Sequence, residues 1–199
     1  MLAEVDPGWF DGLDAALVAR AKRSPLGQRM LARWLLQEHA QQLLSPMPTR
    51  DFGLIARDWP RSRVVWLVRD LGILAYAPAV RAEVRRDPVR RLRRLLGNSY
   101  MLALDRTVWD GRLEPVVERG LINALSAALD TPEHDDGAIW SLLETQGLQE
   151  LRSWGMHAEP ALGQWVKLMA PPLPEGPAYL PPESVRMLRD HHAARPLAA

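Results

Sequence analysis

Five histidines are the first residues in this 199-residue chain that could do acid–base or metal chemistry. His134 is followed by Asp135 and Asp136, metal-capable ligands in which a carboxylate beside the ring would raise its basicity. A metal site needs a second ligand pair at suitable spacing, and none stands nearby, so the tripeptide reads as a polar loop. His191 and His192 adjoin the C-terminal tail, where no preorganised shell is expected. His39 and His157 have no partnered nucleophile, and no GxSxG, Walker or HExxH pattern occurs. The chain has no cysteine, which removes disulfides, thiolate chemistry and cysteine-ligated zinc. Catalysis has no visible address, and a protein without enzymatic activity, metal or cofactor is expected.

Guanidinium chemistry is better represented. Arg81, Arg85, Arg86, Arg90, Arg91, Arg93 and Arg94 crowd one stretch, and such forks pair bidentately with phosphate or carboxylate. A solvated helix face is the plain alternative. The net charge of +1 and the lack of a nucleic-acid motif favour an acidic protein partner over nucleic acid. That net charge hides a division. Residues 50–94 hold twelve Arg against five acids, whereas residues 105–159 hold eleven acids against four Arg. A polarised surface or internal ion pairing would each produce it. Eight tryptophans are present, most at core spacing; Trp9 and Trp59, beside loops, are the expected exposed anchors. The candidate partner-binding residues are therefore Arg81, Arg85, Arg86, Arg90, Arg93 and Arg94, with Trp9 and Trp59.

The elements that must position these residues are helical. Hydrophobic residues make up 47% and charged residues 25%, a globular composition, and β-branched alternation is nearly absent. The spacing of Phe10, Leu13 and Leu17 predicts a first helix ending near Ser24. Pro25 opens a second, running to Leu44, and Ser45-Pro46-Met47-Pro48 breaks the pattern. A strongly apolar helix follows from about Ser62 through Tyr76, with Pro78 starting or kinking the next turn. Asp87-Pro88 reads as an N-cap followed by proline, with Leu92 and Leu96 buried, Arg90, Arg93 and Arg94 on the opposite face, and Gly97 as the stop. Met101, Leu102 and Leu104 should point inward. Pro115 opens a helix that Asp130-Thr131-Pro132 ends. One or two helices span Ile139 to Trp154, and another carries Leu162, Trp165, Val166 and Met169.

Some nine helical segments result, and the fold class is all-α: a compact multi-helix single domain over 1–170. A Pro-rich linker or strap should occupy 171–182, where six prolines fall in twelve residues, with a short last helix and frayed tail over 183–199. The N-terminus has acids where a signal peptide needs basic residues, and the apolar runs near Arg69 and Asp70 are too short to span a bilayer. A cytoplasmic location is expected.

One stretch supports a family reading. Leu71-Gly72 within an apolar helix, Ala77-Pro78-Ala79-Val80-Arg81, Leu92-Arg93-Arg94-Leu95-Leu96-Gly97, and a helix ending in Ala103-Leu104 together resemble the SctK family (YscK, PscK, OrgA) of type III secretion systems. The likeness covers roughly residues 60 to 110, and the rest only through length and helical character. It implies a non-enzymatic cytoplasmic accessory protein of the sorting platform, without cofactor, that links the SctD-like inner-membrane ring protein to the SctQ-like pod protein. The family offers no catalytic residues to carry over, and the arginines as contact surface are an inference from charge. A nucleic-acid-binding helical regulator and a small-molecule-binding helical bundle are the alternatives.

Overall fold

The computed structural model describes residues 2–39, 55, 57–132, 136–172 and 174–196. Among them every regular element is a helix and no strand occurs, as the periodicity predicts. None of these helices is long and apolar enough to cross a membrane. The expected first helix is two pieces instead. A 3-10 turn, Pro7–Phe10, is capped by Asp6, and α1, Ala15–Ala21, is capped by Asp14, whose carboxylate accepts from Leu17 N at 2.8 Å. Gly12 between them has φ +93°, which no helix accommodates. α2 spans Pro25–His39; its expected extension to Leu44 and the break at 45–48 lie outside the described residues.

α3, Arg61–Ala75, is followed by α4, Ala77–Ala82, which Pro78 opens without losing a needed donor. α5, Arg86–Leu96, starts two residues earlier than Asp87-Pro88 suggests. Arg85 is its extended N-cap residue, and Asp87 sits inside the first turn, where a carboxylate opposes the positive end of the helix dipole. Gly97, at φ +54°, ends α5 as expected, and a 3-10 turn over Gly97–Ser99 leads into α6, Tyr100–Leu104. That turn rotates the short helix, so Tyr100 and Ala103 are buried while Met101 and Leu104 face outward, reversing the expected face. α7 spans Pro115–Leu129, α8 is a single helix of 22 residues over Gly137–Ala158, and α9 spans Pro160–Met169. Residues 171–172 and 174–181 of the Pro-rich stretch have no regular structure, and α10, Pro182–Ala194, is the expected last helix.

Contacts divide the chain into two compact units, Met1–Val64 with Arg152–Glu175, and Val65–Leu151 with Gly176–Ala199. The sequence boundaries expected at 170 and 182 fall within these units. In the first, Trp165 is fully buried and donates from Nε1 to Trp59 O at 2.8 Å. Arg61 donates to Glu4 O and Met169 O, and Phe10 stacks on Trp34. Gly155 and Gly163 let α8 and α9 touch backbone to backbone, since a Cβ on either would meet the other's main chain at 2.6 to 2.9 Å.

The second unit is built on Leu67, Leu71, Leu74, Leu92, Leu125 and Leu143, all fully buried. α3 and α8 approach so closely that a Cβ on Gly72 would overlap the carbonyl of Leu143, and one on Gly147 that of Val68. Two polar clusters pin the C-terminal segment of this unit. Buried Glu150 accepts from Tyr179 N, Leu180 N and Gln146 Nε2 at 2.8 to 3.0 Å. Burial nevertheless pushes the Glu150 carboxyl above the ordinary glutamate range, outweighing those three donors. Asp70 accepts from Ser99 Oγ at 2.7 Å, and His192 Nε2 lies 2.9 Å from its other oxygen. His192 thus has the buried, partnered surroundings that a tail position argued against.

Candidate docking surface

α5 sorts the arginine cluster by its 3.6-residue period. Leu92 and Leu96 are buried on one side, whereas Arg86, Arg90, Arg93 and Arg94 are exposed and recur at i, i+4, i+7 and i+8. On an α-helix these four fall within an arc of about 100°, spread over about 12 Å of axis. Arg93 lies over the buried Tyr100 ring, 5.4 Å from its centroid, which fixes its direction. Arg94 Nη2 lies 3.6 Å from Asp136.

Arg91, Arg81 and Arg85 are each engaged by acceptors of the same unit. Arg91 is only 4% exposed; it bonds Asp136 Oδ1 at 3.0 Å and the carbonyls of Leu129, Thr131 and Pro132 at 2.6 to 3.1 Å. Arg81, expected to meet a partner, donates instead to Ala103 O, Trp109 O and Asp110 O at 2.7 to 3.0 Å and ties α4 to the end of α6. Burial lowers its pKa, with Arg106 adding to the effect. Arg85, also expected at the interface, bonds Glu83 at 2.8 Å and Asp130 at 2.9 Å. These hydrogen bonds, the one it donates to Glu83 foremost, raise its pKa, and in return Arg85 holds the Glu83 carboxyl below its ordinary range. An open cleft of about 360 Å³ at the start of α5 is lined by Arg85, Arg86, Asp87, Pro88, Arg91, Leu129 and Asp130. Its walls carry both signs of charge.

The two tryptophan anchors fare differently from expectation. Trp59 is 3% exposed, its carbonyl taken by Trp165, so it is a core residue and not an anchor. Trp9 is half-buried, donates to Ala170 O at 2.8 Å, and carries Lys167 Nζ over its ring. The exposed tryptophan is Trp66, at 57%. Arg69, three residues on, lies over Trp66 and Trp140 at 5.6 and 4.5 Å and pairs with Glu144 at 2.7 Å. The Trp66-x-x-Arg69 spacing was the available signal, obscured by the apolar residues around it.

Of the metal-capable tripeptide, His134 and Asp135 lie outside the described residues, and Asp136 is the partner of Arg91 and Arg94. Among the described residues no group of three or more His, Asp or Glu could hold a metal ion. In the Ser99, Asp70 and His192 cluster the carboxylate stands between hydroxyl and ring. That order ties the Gly97–Ser99 turn and α10 to α3, and the group set against the hydroxyl is the Asp70 carboxylate and not the imidazole. No family model, curated protein or solved structure matches this chain.

Proposed function

We propose that this protein is a non-enzymatic cytoplasmic adaptor of a type III secretion sorting platform, joining an SctQ-like pod protein to an SctD-like inner-membrane ring protein. The observation that carries the reading is the exposed arginine face of α5, backed by a buried leucine side and by Arg91, which locks the helix onto the 129–132 loop. A helix held this way offers its charges without having to be ordered on binding, so less entropy is lost on docking. The same helix lies within the stretch that resembles SctK. Adaptor function here is positioning: one rigid surface per partner, with a moderately polar interface that assembles reversibly.

The test is an affinity pull-down of the tagged protein from its own organism, read by mass spectrometry. Recovery of the pod or ring protein is expected, with loss when Arg90, Arg93 and Arg94 are changed to Glu and helicity is retained. Recovery of neither overturns the reading. A nucleic-acid-binding regulator would instead show duplex binding that weakens steeply with salt.

A further inference from the structure

We infer that the α1–α2 hairpin binds the surface of an anionic lipid bilayer directly, with Leu17, Leu26 and Met30 entering the headgroup boundary and Arg20, Arg29 and Arg33 pairing with lipid phosphates. This contact goes beyond the adaptor reading and does not depend on it.

The hairpin repeats one small unit three times. Leu17, Leu26 and Met30 are each more than half exposed, and an exposed arginine stands three residues after each of them: Arg20, Arg29 and Arg33. On α2 the order around the axis is Arg29, Arg33, Leu26 and Met30, all within an arc of about 100°, so the guanidiniums edge an apolar strip. On α1 the same spacing makes Leu17 and Arg20 surface neighbours. The hairpin is held from behind. Val18, Leu31 and Leu35 are buried, and Phe10 stacks on Trp34. Gln28 Nε2 donates to Lys22 O at 2.8 Å and Gly27 N to Ser24 Oγ at 3.0 Å, which fixes the turn between the two helices.

Charge and shape select the occupant. Residues 15–39 hold five basic residues, Arg20, Lys22, Arg23, Arg29 and Arg33, against one acid, Glu38. Lys22 Nζ is turned over the Phe10 ring, 4.6 Å from its centroid, and Arg29 Nε donates to Pro25 O at 3.3 Å. Among the described residues no carboxylate pairs with Arg20, Arg23, Arg29 or Arg33. Nucleic acid would satisfy these guanidiniums but offers nothing to three protruding apolar side chains. A protein partner would need a groove shaped to receive them, whereas the acyl boundary of a bilayer accepts them without a matching shape. From that depth the long arginine stems reach the phosphate level, where the guanidinium fork pairs bidentately.

The experiment is flotation of the full chain with vesicles of equimolar phosphatidylglycerol and phosphatidylcholine, beside vesicles of phosphatidylcholine alone. Binding to the anionic vesicles is expected to be at least about tenfold tighter, since each basic residue near an anionic surface contributes about fivefold. Changing Arg20, Arg29 and Arg33 together to Gln, with helicity retained, should weaken it about tenfold or more. Leu26→Ser combined with Met30→Ser should weaken it about threefold or more at unchanged charge. Leu26→Trp should tighten binding by about threefold, a gain that misfolding cannot produce. Arg119→Gln, at an exposed position of α7, should leave it unchanged. No preference for anionic vesicles, an equal loss with Arg119→Gln, or loss on changing Arg86 and Arg90 in place of the hairpin arginines overturns the inference. So does binding that needs the hairpin arginines but ignores the serine changes, the result expected of an acidic protein surface. Pull-down of the pod or ring protein by a chain that ignores vesicles would overturn it while leaving the adaptor reading standing. Vesicle binding as expected, without either protein in the pull-down, would do the reverse.

Discussion

Arg90 and Arg91 are neighbours in sequence with opposite fates. Arg91 supplies donors to three loop carbonyls and one carboxylate in a nearly dry site, so Arg91→Ala would leave them unpaired. A loss of about 3 to 5 kcal/mol is expected from denaturant unfolding, against less than about 0.5 kcal/mol for Arg90→Ala. Arg81 is a second internal clamp, and there the fork geometry matters more than the charge. Arg81→Lys reaches at most part of the three carbonyls at Ala103, Trp109 and Asp110, so it should recover less than half of the stability lost in Arg81→Ala. Helical periodicity made the outward direction of Arg90, Arg93 and Arg94 legible. It could not show that the end of α7 and the loop after it would present three carbonyls at Arg91, because that contact joins residues about forty positions apart. Trp59 and Trp66 failed for a related reason. Trp66 lies in a helix that is apolar nearly all round, so composition does not say that its ring faces out, and Trp59, just before that helix, is buried among residues distant in sequence such as Trp165.

At the scale of elements, capping chemistry was the most readable feature. Gly97 ends α5 and Pro115 opens α7 where expected, since each acts through its own backbone. The turn after α5 was not readable, and it turned α6 onto its other face. The C-terminal segment depends on Glu150, whose raised pKa has a consequence of definite sign. Between the ordinary glutamate value of 4.5 and its higher folded value, the native state keeps a proton that the unfolded chain has released. Stability from this group is therefore full below that window and declines as pH rises through it. The difference in unfolding free energy between wild type and Glu150→Gln, followed by denaturant titration at a series of pH values, should shrink across the window. At every pH the amide, which faces Tyr179 N and Leu180 N with a donor of its own, should expose residues 176–180 to protease sooner than the wild type.

For the molecule as a whole, the all-α class followed from periodicity and composition, whereas the division into two units did not. Each unit is assembled from segments far apart in sequence; the boundary at Glu175–Gly176 falls in the Pro-rich stretch, but the other two fall inside α3 and α8, where composition gives no sign of them. Hydrogen exchange should resolve them. Gly163→Ala, which forces a methyl against Gly155, should raise exchange first in Met1–Val64 and Arg152–Glu175, and Gly72→Ala first in Val65–Leu151. Identical responses to the two substitutions would count against separate cooperative units.

The meeting of α3 and α8 also constrains how this sequence can drift. At Gly72 and Gly147 the obstacle to a larger residue is the carbonyl of Leu143 or Val68, which every amino acid carries. Trimming a facing side chain therefore offers no relief. Genetic suppressors of Gly72→Ala should be rare, and they should map to changes that shift a helix bodily, such as insertions or deletions in the connecting loops. Neutral exchange at these two positions is closed to the lineage even though neither glycine touches a partner in the proposed role.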